Sequence, residues 1–492
     1  MGRILSAFNP IRNFKTIFRR PSNNHINSFD GVRAISSQYM VLYHCLVFLI
    51  WTLPKGIIGD FTGKPYSKLI SCGDVAVDFF FYLSGYLVML RFLKEEEKEK
   101  EKEKEKGSEK KGEKGEKTGS KLGYDFNFFA RRLLRLYPLL YFYVFFKVLQ
   151  LMPFNINHAG LIKAILSLVF FYNDYTAPTM YQPAMHGWSV AVEMKAYAVF
   201  LFIRRLMKKK INALKVLICF VVGFCLISFA LSLYVPKFFT YNLLTCFVPD
   251  LWYNMIDPYE TDFQKSIDAD DAFWATDAGR DAHIQLSGLY YGTHLRIIVM
   301  LVGAIFAYIQ ERSKLSVSLK KSPLSRIAFL IGSLVLFASY FALKASNLMD
   351  TIDFTETSPL FNVLFRLIIF NRSVLSVGFG GMLFLIINKI GLFGNIFNYL
   401  FSNKLWVPFS NLSYSLYMGH PLAIFIITVE YAKNIIENGF EIILFVKFVI
   451  TAFITSYIIS LFLYLFIEMP FINLSPKRTQ ADSTLEKEKK IK

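Results

Sequence analysis

The segment FDGVRAISSQYMVLYHCLVFLIWTL, residues 29–53, decides the fold class. It is long and apolar enough for a helix that crosses about 30 Å of hydrocarbon. Arg33 and His44 are separated by about three helical turns plus 20°, so both side chains lie on one face. The rise between them, about 16 Å, places Arg33 at a membrane boundary and His44 near the middle of the bilayer. An imidazole at that depth indicates a functional site. The alternative is a histidine bonded to a neighbouring carbonyl beside an interfacial arginine.

Similar apolar runs recur along the whole chain, whose residues are 54% hydrophobic and include 51 Phe and 27 Tyr. The stretch from Ile165 to Tyr172 is too short to cross and is predicted to be re-entrant or interfacial. We therefore predict an all-α, polytopic transmembrane helical bundle with about ten membrane-spanning helices plus this short segment. The predicted spans lie near residues 32–53, 73–93, 130–151, 188–206, 214–235, 295–311, 327–345, 361–388, 411–430 and 442–467.

The formal net charge of +18 follows membrane topology and does not indicate nucleic-acid binding. Basic residues concentrate in segments that ten crossings would place on one side, as expected of cytoplasmic loops. These segments are 12–20, 204–215, 311–326 and the tail from residue 477. We predict an integral, multi-pass membrane protein whose partner is the lipid bilayer and whose two termini are cytoplasmic.

The domain organisation follows from composition. We predict a basic N-terminal arm (1–28), a transmembrane domain (29–476) and a charged C-terminal tail (477–492). Within the transmembrane domain, the Lys/Glu-rich residues 94–121 are predicted to form a solvated helix or a disordered linker. Residues 236–293 are predicted to form an acidic extracytoplasmic loop.

The N-terminal arm, MGRILSAFNPIRNFKTIFRR, contains five basic residues and precedes the first acidic residue, Asp30. This pattern suits a cytoplasmic segment that binds anionic lipid headgroups. It also resembles a mitochondrial presequence. The plasma membrane or an endomembrane is therefore the favoured location, and the mitochondrial inner membrane is the alternative.

Three arginines begin the predicted third span, FFARRLLRLYPLLYFY, residues 128–143. Arg132 and Arg135 are three residues apart and share a helical face, with Arg131 about 100° away. The planar guanidinium suits bidentate contact with phosphate, so these residues are candidates for binding a phosphorylated cofactor from the cytosol. The alternative is that they anchor the helix as ordinary cytoplasmic basic residues.

Further polar residues fall inside apolar segments. Glu193 lies about 8 Å deep in HGWSVAVEMKAY (186–197) if that segment is helical, where a carboxylate needs a partner or a proton-handling role. His186 and Trp188 could instead be interfacial anchors. The five cysteines show no metal-ligand spacing, and no metal is predicted. The other polar candidates are Asp30, Asp78, Ser84, Arg296, His420 and Glu468.

In their order along the chain, these motifs resemble the acyltransferase-3 family of integral membrane acyltransferases, and within it the branch named for nose resistance to fluoxetine. The resemblance covers about residues 29–472, although Lys195 and Ala196 stand where the family usually has Gln and an aromatic residue. The segments that carry it are FDGVRAISSQYMVLYH (29–44), VDFFFYLSGYLV (77–88), RRLLRLYP (131–138), HGWSVAVEMKAY (186–197), YYGTHLRIIVMLVGAIFAYI (290–309), NLSYSLYMGHPL (411–422) and IEMPF (467–471).

The resemblance implies transfer of an acyl group, often acetyl, from cytosolic acyl-CoA to a hydroxyl of a carbohydrate, lipid or other acceptor. Under it, His44 is the general base, a role that suits the pKa of an imidazole. Arg33 would bind a phosphate or orient the pantetheine arm, and Glu193 or Asp78 would orient His44 or position the acceptor. The implied acyl-CoA-binding residues are Arg131, Arg132, Arg135 and Tyr137.

Two other functions remain open from the residues alone. A transporter or lipid-handling protein could use the same intramembrane charges as a substrate pathway. A catalytically inactive, structural member of a membrane assembly is the other alternative.

Overall fold

The computed structural model describes residues 2–20, 25–53, 57–108, 121–151, 158–175, 185–209, 211–233, 292–345 and 367–476, and every regular element in them is helical. The α-helices are α1 (Gly2–Ala7), α2 (Pro10–Ile17), α3 (Ser28–Thr52), α4 (Gly59–Thr62), α5 (Pro65–Ser71), α6 (Ala76–Ser108), α7 (Lys121–Leu151), α8 (His158–Val169), α9 (Trp188–Lys208), α10 (Ala213–Ser232), α11 (Thr293–Arg312), α12 (Leu315–Lys321), α13 (Pro323–Ala345), α14 (Asn371–Ile387), α15 (Gly391–Phe401), α16 (Val407–Asn411), α17 (Ser413–Asn438), α18 (Ile442–Leu463) and α19 (Met469–Leu474). Short 3₁₀ turns are Cys72–Val75, Asn173–Tyr175, Met185–Gly187, Leu367–Phe370 and Lys404–Trp406, and Tyr464–Glu468 is π-helical.

Six of the described helical segments are long and apolar enough to cross a membrane, which confirms an all-helical membrane fold. A seventh span is reached if α14 and α15, which meet at 84°, count as one broken span. The predicted count of about ten is therefore not confirmed. The six segments are Ser28–Ile50, Pro65–Glu101, Ala213–Ser232, Thr293–Arg312, Pro323–Lys344 and Ile442–Leu474.

The other predicted spans coincide with helices that carry polar or charged residues. The predicted spans 130–151 and 188–206 lie in α7 and α9, and the predicted span 411–430 lies in α17 from Ser413 onward. Arginines in α7, Glu193 in α9 and His420 in α17 lower the apolar content of these helices, and the same residues are site candidates. The described part of the predicted span 361–388 begins at Leu367, and its helix α14 ends at Ile387.

Two helices form the centre of the bundle. In the most apolar stretch of each segment, 78% of the residues of Pro65–Glu101 and 72% of those of α11 are buried inside the protein. The corresponding shares are 17% for α10 and 11% for α13. Gly85 of α6 and Gly303 of α11 make the central contact. A Cβ at Gly85 would lie 1.9 Å from the Met300 carbonyl oxygen, and one at Gly303 would lie 2.2 Å from the Tyr82 carbonyl oxygen. The two backbones therefore touch because both residues lack a side chain.

The first part of the Lys/Glu-rich linker is helical. Of the two predicted forms, a solvated helix or a disordered linker, residues 94–108 adopt the helix, since α6 continues to Ser108. Ion pairs of i,i+4 spacing support this extension, including Arg91–Glu95 and Lys100–Glu96. The end of the linker starts α7, and residues 109–120 lie outside the described residues.

The remaining predicted segments divide between described and undescribed parts of the chain. The short stretch from Ile165 to Tyr172 contains the end of α8, an apolar helix too short to cross. Apart from Gly292 and Thr293, the predicted loop 236–293 lies outside the described residues, as does the tail 477–492. The arm and the end of the described chain meet, because Asn13 donates to the Leu465 carbonyl at 3.0 Å.

Candidate functional site

Two histidines from different helices form the centre of the site. In α3, Nδ1 of His44 lies 2.9 Å from the Met40 carbonyl oxygen and 3.2 Å from Nε2 of His420. In α17, Nδ1 of His420 lies 3.0 Å from the Leu416 carbonyl oxygen. The imidazole ring centroids are 4.7 Å apart. Sequence reasoning marked both residues as candidates but did not predict that they meet.

The hydrogen bonds determine which nitrogens carry protons. Carbonyl oxygens only accept, so both histidines donate through Nδ1. Nε2 of neutral His420 then presents a lone pair toward the Nδ1 proton of His44. Nε2 of His44 keeps its own lone pair and bonds to none of the described residues. His420 is fully buried and His44 is partly exposed, so His44 Nε2 is the nitrogen suited to accept a substrate proton.

A third histidine lies beside this pair. His186, in the turn before α9, has its ring centroid 6.5 Å from that of His420 and 4.9 Å from that of Tyr143. The Tyr417 hydroxyl donates to the His186 carbonyl oxygen at 2.8 Å and lies 2.6 Å from Oγ of Ser189. Histidine and tyrosine rings therefore line the region around His420.

Glu193 has the partners that its depth requires. Its Oε1 accepts a hydrogen bond from the Ser84 hydroxyl at 2.8 Å and a second from the Tyr197 hydroxyl. The guanidinium carbon of Arg132 lies 4.5 Å from the centroid of the Tyr197 ring and 3.5 Å from that of Phe128. This network joins α6, α7 and α9 and connects the carboxylate to an arginine of the predicted acyl-CoA-binding group.

A positive region lies at the end of the bundle where α3 begins. Arg33 interacts electrostatically with Arg135, Asp30 and Glu193. Arg135 is exposed, and within the described part of the chain neither it nor Arg33 forms an ion pair or a side-chain hydrogen bond. Two neighbouring guanidinium groups without a carboxylate bonded to either have donors available for a bound anion.

Glu468 ends the π-helical segment near these arginines. Its side chain is 3% exposed, and its Oε2 accepts a hydrogen bond from the Ser415 hydroxyl at 2.5 Å. Arg135 is its electrostatic neighbour. Glu468 therefore adds a negative charge beside the arginines rather than beside the histidine pair.

Asp78 belongs to a different cluster from His44. Its carboxylate accepts hydrogen bonds from Arg296 at 2.6 Å and from Arg372 at 2.5 Å. Arg372 also bonds to Asp74, which accepts from Lys344 at 2.9 Å. Both oxygens of Asp78 are thus bonded to arginines. This arrangement fits a structural ion network better than the predicted role of Asp78 in orienting His44.

Sequence reasoning missed three members of this ion network. Asp74 precedes Asp78 by one helical turn. Lys344 lies at the end of one apolar segment, and Arg372 lies at the start of another. Charged residues at those positions require partners, and that requirement is the signal that could have identified them. The network contacts the candidate site through Trp188, whose ring centroid lies 5.3 Å from the guanidinium carbon of Arg296.

The other predicted site residues make local structural contacts. Tyr137 is buried and its hydroxyl donates to the Leu168 carbonyl at 3.3 Å, so it packs against α8. Asp30 accepts from Nε of Arg20 at 2.9 Å and lies 2.7 Å from Nε2 of His25. Arg131 is partly exposed on α7.

Two further findings concern metals and the unusual Lys195. Among the described residues, no group of three or more His, Cys, Asp or Glu side chains could hold a metal ion. Lys195 forms an ion pair with the buried Asp174 at 2.6 Å, and Asp174 also accepts from the Thr293 hydroxyl. Lys195 therefore helps to join α9 to the start of α11.

The site thus has an arginine-rich end near Arg33 and a histidine pair about 16 Å further along α3, the rise between Arg33 and His44. Comparison with family models matched residues 26–465 to the acyltransferase domain of the acyltransferase-3 family. No curated protein and no solved structure matched the chain. The matched range covers most of the chain and contains the arginines, Glu193 and both histidines of the pair. The chain therefore belongs to the acyltransferase-3 family and is a membrane acyltransferase.

Proposed function

We propose that the protein transfers an acyl group, with acetyl as the first candidate, from cytosolic acyl-CoA to a hydroxyl of a carbohydrate, lipid or other acceptor. The observation that carries this proposal is the pairing of His44 and His420. Their hydrogen bonds leave Nε2 of His44 as a proton acceptor on the face of α3 that also bears Arg33.

The arginines supply the binding half of the proposal. Coenzyme A carries a pyrophosphate and a 3′-phosphate, which match the unengaged guanidinium groups of Arg33 and Arg135. Arg132 lies one turn from Arg135 and is held over Tyr197. With the phosphates bound there, an extended pantetheine arm would bring the thioester along α3 toward His44.

The chemistry then needs one proton acceptor. The acceptor hydroxyl gives its proton to Nε2 of His44 as its oxygen forms a bond to the acyl carbon. The carbon–sulfur bond breaks, and the CoA thiolate takes the proton back from His44, giving an acyl ester and free CoA. Nε2 of His420 accepts a hydrogen bond from the Nδ1–H of His44, which holds the ring and stabilises its charged form.

Acetyl-CoA binding and CoA release by the purified full-length protein test this proposal. The variants are His44→Ala, which removes the base, and Arg33→Gln/Arg135→Gln, which removes two charges from the arginine-rich end. We expect His44→Ala to keep acetyl-CoA binding and to lower turnover by about 100-fold or more, the usual contribution of a general base. The double arginine variant is expected to lose binding.

Two controls match these variants. His158→Ala removes an exposed histidine at the start of α8, and Lys320→Gln/Lys321→Gln removes two exposed charges at the end of α12. Neither control is expected to change binding or turnover. If the native protein bound neither acetyl-CoA nor longer acyl-CoA thioesters, the proposal would be wrong.

The proposal extends to topology and location. The terminal segments meet at the arginine-rich end, so a cytosolic donor site places both on the cytoplasmic side, consistent with the basic loops. The plasma membrane or an endomembrane remains the favoured location. Among the described residues, no contact favours a transport pathway or an inactive, structural protein over acyl transfer.

A further inference from the structure

The N-terminal arm has three distinct faces. Asn13 and Ile17 of α2 are buried against the bundle, 0% and 2% exposed. About 120° away around the helix, Ile11, Phe14 and Phe18 are 70%, 44% and 60% exposed. The third face is basic and carries the exposed Arg12, Lys15 and Arg19.

Polar contacts fix the arm to the bundle through its backbone and its inner face. The Asn13 amide donates to the Leu465 carbonyl at 3.0 Å, and Oγ1 of Thr16 lies 3.0 Å from the Tyr464 hydroxyl. From the bundle, Asn411 donates to the Ile17 carbonyl at 2.8 Å. These contacts hold α2 in one orientation, so its other two faces point away from the protein.

The π-helical segment explains why the Leu465 carbonyl is available to Asn13. The backbone N–H of Met469 bonds to the Tyr464 carbonyl, five residues earlier, instead of to Leu465. The next residue, Pro470, has no N–H to donate. Leu465 therefore lacks both of its helical donors, and Asn13 supplies the missing hydrogen bond.

The outward faces suit an anionic membrane surface. Neither Lys15 nor Arg19 pairs with an acidic side chain among the residues that the structure describes, and no acidic residue precedes Asp30. Exposed Ile and Phe beside unpaired basic side chains are typical of helices that lie in the headgroup region of a bilayer. Each basic residue there contributes about 1 kcal/mol of attraction to anionic lipid.

The position of the arm relates it to the candidate site. Arg20, just after the arm, bonds to Asp30 in the first turn of α3, one turn before Arg33. On its other side, the arm contacts the π-helical segment that ends in Glu468, the electrostatic neighbour of Arg135. The arm therefore lies at the same end of the bundle as Arg33 and Arg135.

We infer that residues 4–19 form an interfacial arm that binds the anionic phospholipid surface at the arginine-rich end of the protein. Ile11, Phe14 and Phe18 enter the headgroup region, and Lys15 and Arg19 contact the phosphates and carboxylates of the lipids. Asn13 keeps the arm docked on the bundle as it does so. The inference rests on the contacts of the arm and does not depend on the acyl-transfer reaction.

Hydrogen exchange of the full-length protein in lipid nanodiscs tests this inference without an activity assay. Discs of phosphatidylcholine alone are compared with discs of an equal mixture of phosphatidylcholine and phosphatidylserine. We expect amides 11–19 to exchange roughly 30-fold more slowly in the anionic discs, from the attraction of two basic residues. The difference is expected to shrink at about 1 M salt, which screens charges beyond a few ångströms.

Two variants separate the arm from general charge effects. Lys15→Gln/Arg19→Gln is expected to remove the difference between the discs, whereas Lys320→Gln/Lys321→Gln is expected to retain it. Equal exchange of amides 11–19 in both discs would overturn the inference. So would equal protection by soluble glycerophosphoserine, because that result would indicate a free-anion site rather than a membrane surface.

Discussion

At the scale of single residues, the site depends on how His420 holds His44. His420 is fully buried and its own Nδ1 is engaged by the Leu416 carbonyl, so only Nε2 faces His44. It lies one turn from Tyr417, whose hydroxyl bonds to the backbone of the turn before α9. His420 is therefore placed to orient the proposed base, and none of its described contacts involves Arg33 or Arg135 of the arginine-rich end.

We expect His420→Ala to lower kcat by about 10- to 100-fold, because His44 keeps its bond to Met40 but loses its second acceptor. KM for acetyl-CoA is expected to stay within about twofold, since the arginines are unchanged. Steady-state CoA release measures both parameters. A variant with normal kcat, or one whose main defect is in KM, would contradict the orienting role.

Residue-level prediction from the sequence was accurate where it depended on one helix. Arg33 and His44 do lie in one unbroken helix, α3. Glu193 does have partners at its depth. The identity of those partners, Ser84 and Tyr197, could not be read from the sequence, because pairing between distant helices depends on how they pack.

At the scale of elements, the close approach of α6 and α11 is the feature most sensitive to a single methyl group. Gly85 and Gly303 each face a backbone carbonyl of the other helix, which cannot move as a side chain can. We expect Gly85→Ala or Gly303→Ala to lower the free energy of unfolding by about 1–3 kcal/mol or more through overpacking. Thermal unfolding in detergent measures this change.

The matched controls are Gly223→Ala in α10 and Gly332→Ala in α13, where an added Cβ meets no atom within 4 Å. Both are expected to be neutral or to stabilise their helices by up to about 1 kcal/mol, since alanine has the higher helix propensity. If all four variants behaved alike, the close contact between α6 and α11 would not limit stability.

Element prediction was less reliable where polar residues interrupt apolar runs. The segments at α3, α6, α10, α11, α13 and α18 were recognisable from length and composition. The bend between α14 and α15 could not be recognised in this way, because hydropathy carries no information about the direction of a helix. For the Lys/Glu-rich residues 94–121, a solvated helix and a disordered linker both stayed open, because a run of mixed charges is typical of either, and α6 extends as a helix to Ser108.

At the scale of the whole molecule, the structure determines which segments share an end of the bundle. Asn473 donates to Oδ1 of Asn13 at 3.1 Å, so α2 meets α19, the last described helix. The helix α17 starts two residues after Asn411, which also bonds to the arm, and ends at Asn438. Its length of about 39 Å carries the chain to the opposite end.

This arrangement predicts the sidedness of three positions. In a cysteine-free background, Ser6→Cys and Ser475→Cys are expected to react with an impermeant maleimide from the same side of the membrane. Asn438→Cys is expected to react from the other side. Labelling of intact and permeabilised cells distinguishes the sides. Reaction of Ser6→Cys and Ser475→Cys from opposite sides would contradict the contact between the terminal segments.

The contact between Asn13 and Leu465 also has an evolutionary consequence. Asn13 supplies a hydrogen bond to the Leu465 carbonyl because Pro470 cannot donate one. Asn13 and Pro470 therefore form a dependent pair near opposite ends of the chain. A lineage that replaced Pro470 with a residue bearing an N–H would restore the helical donor, and position 13 would then be constrained by its contacts with Ala7 and Asn473 alone. We expect the two positions to covary among relatives, and chimaeras that exchange one terminal segment alone to assemble poorly.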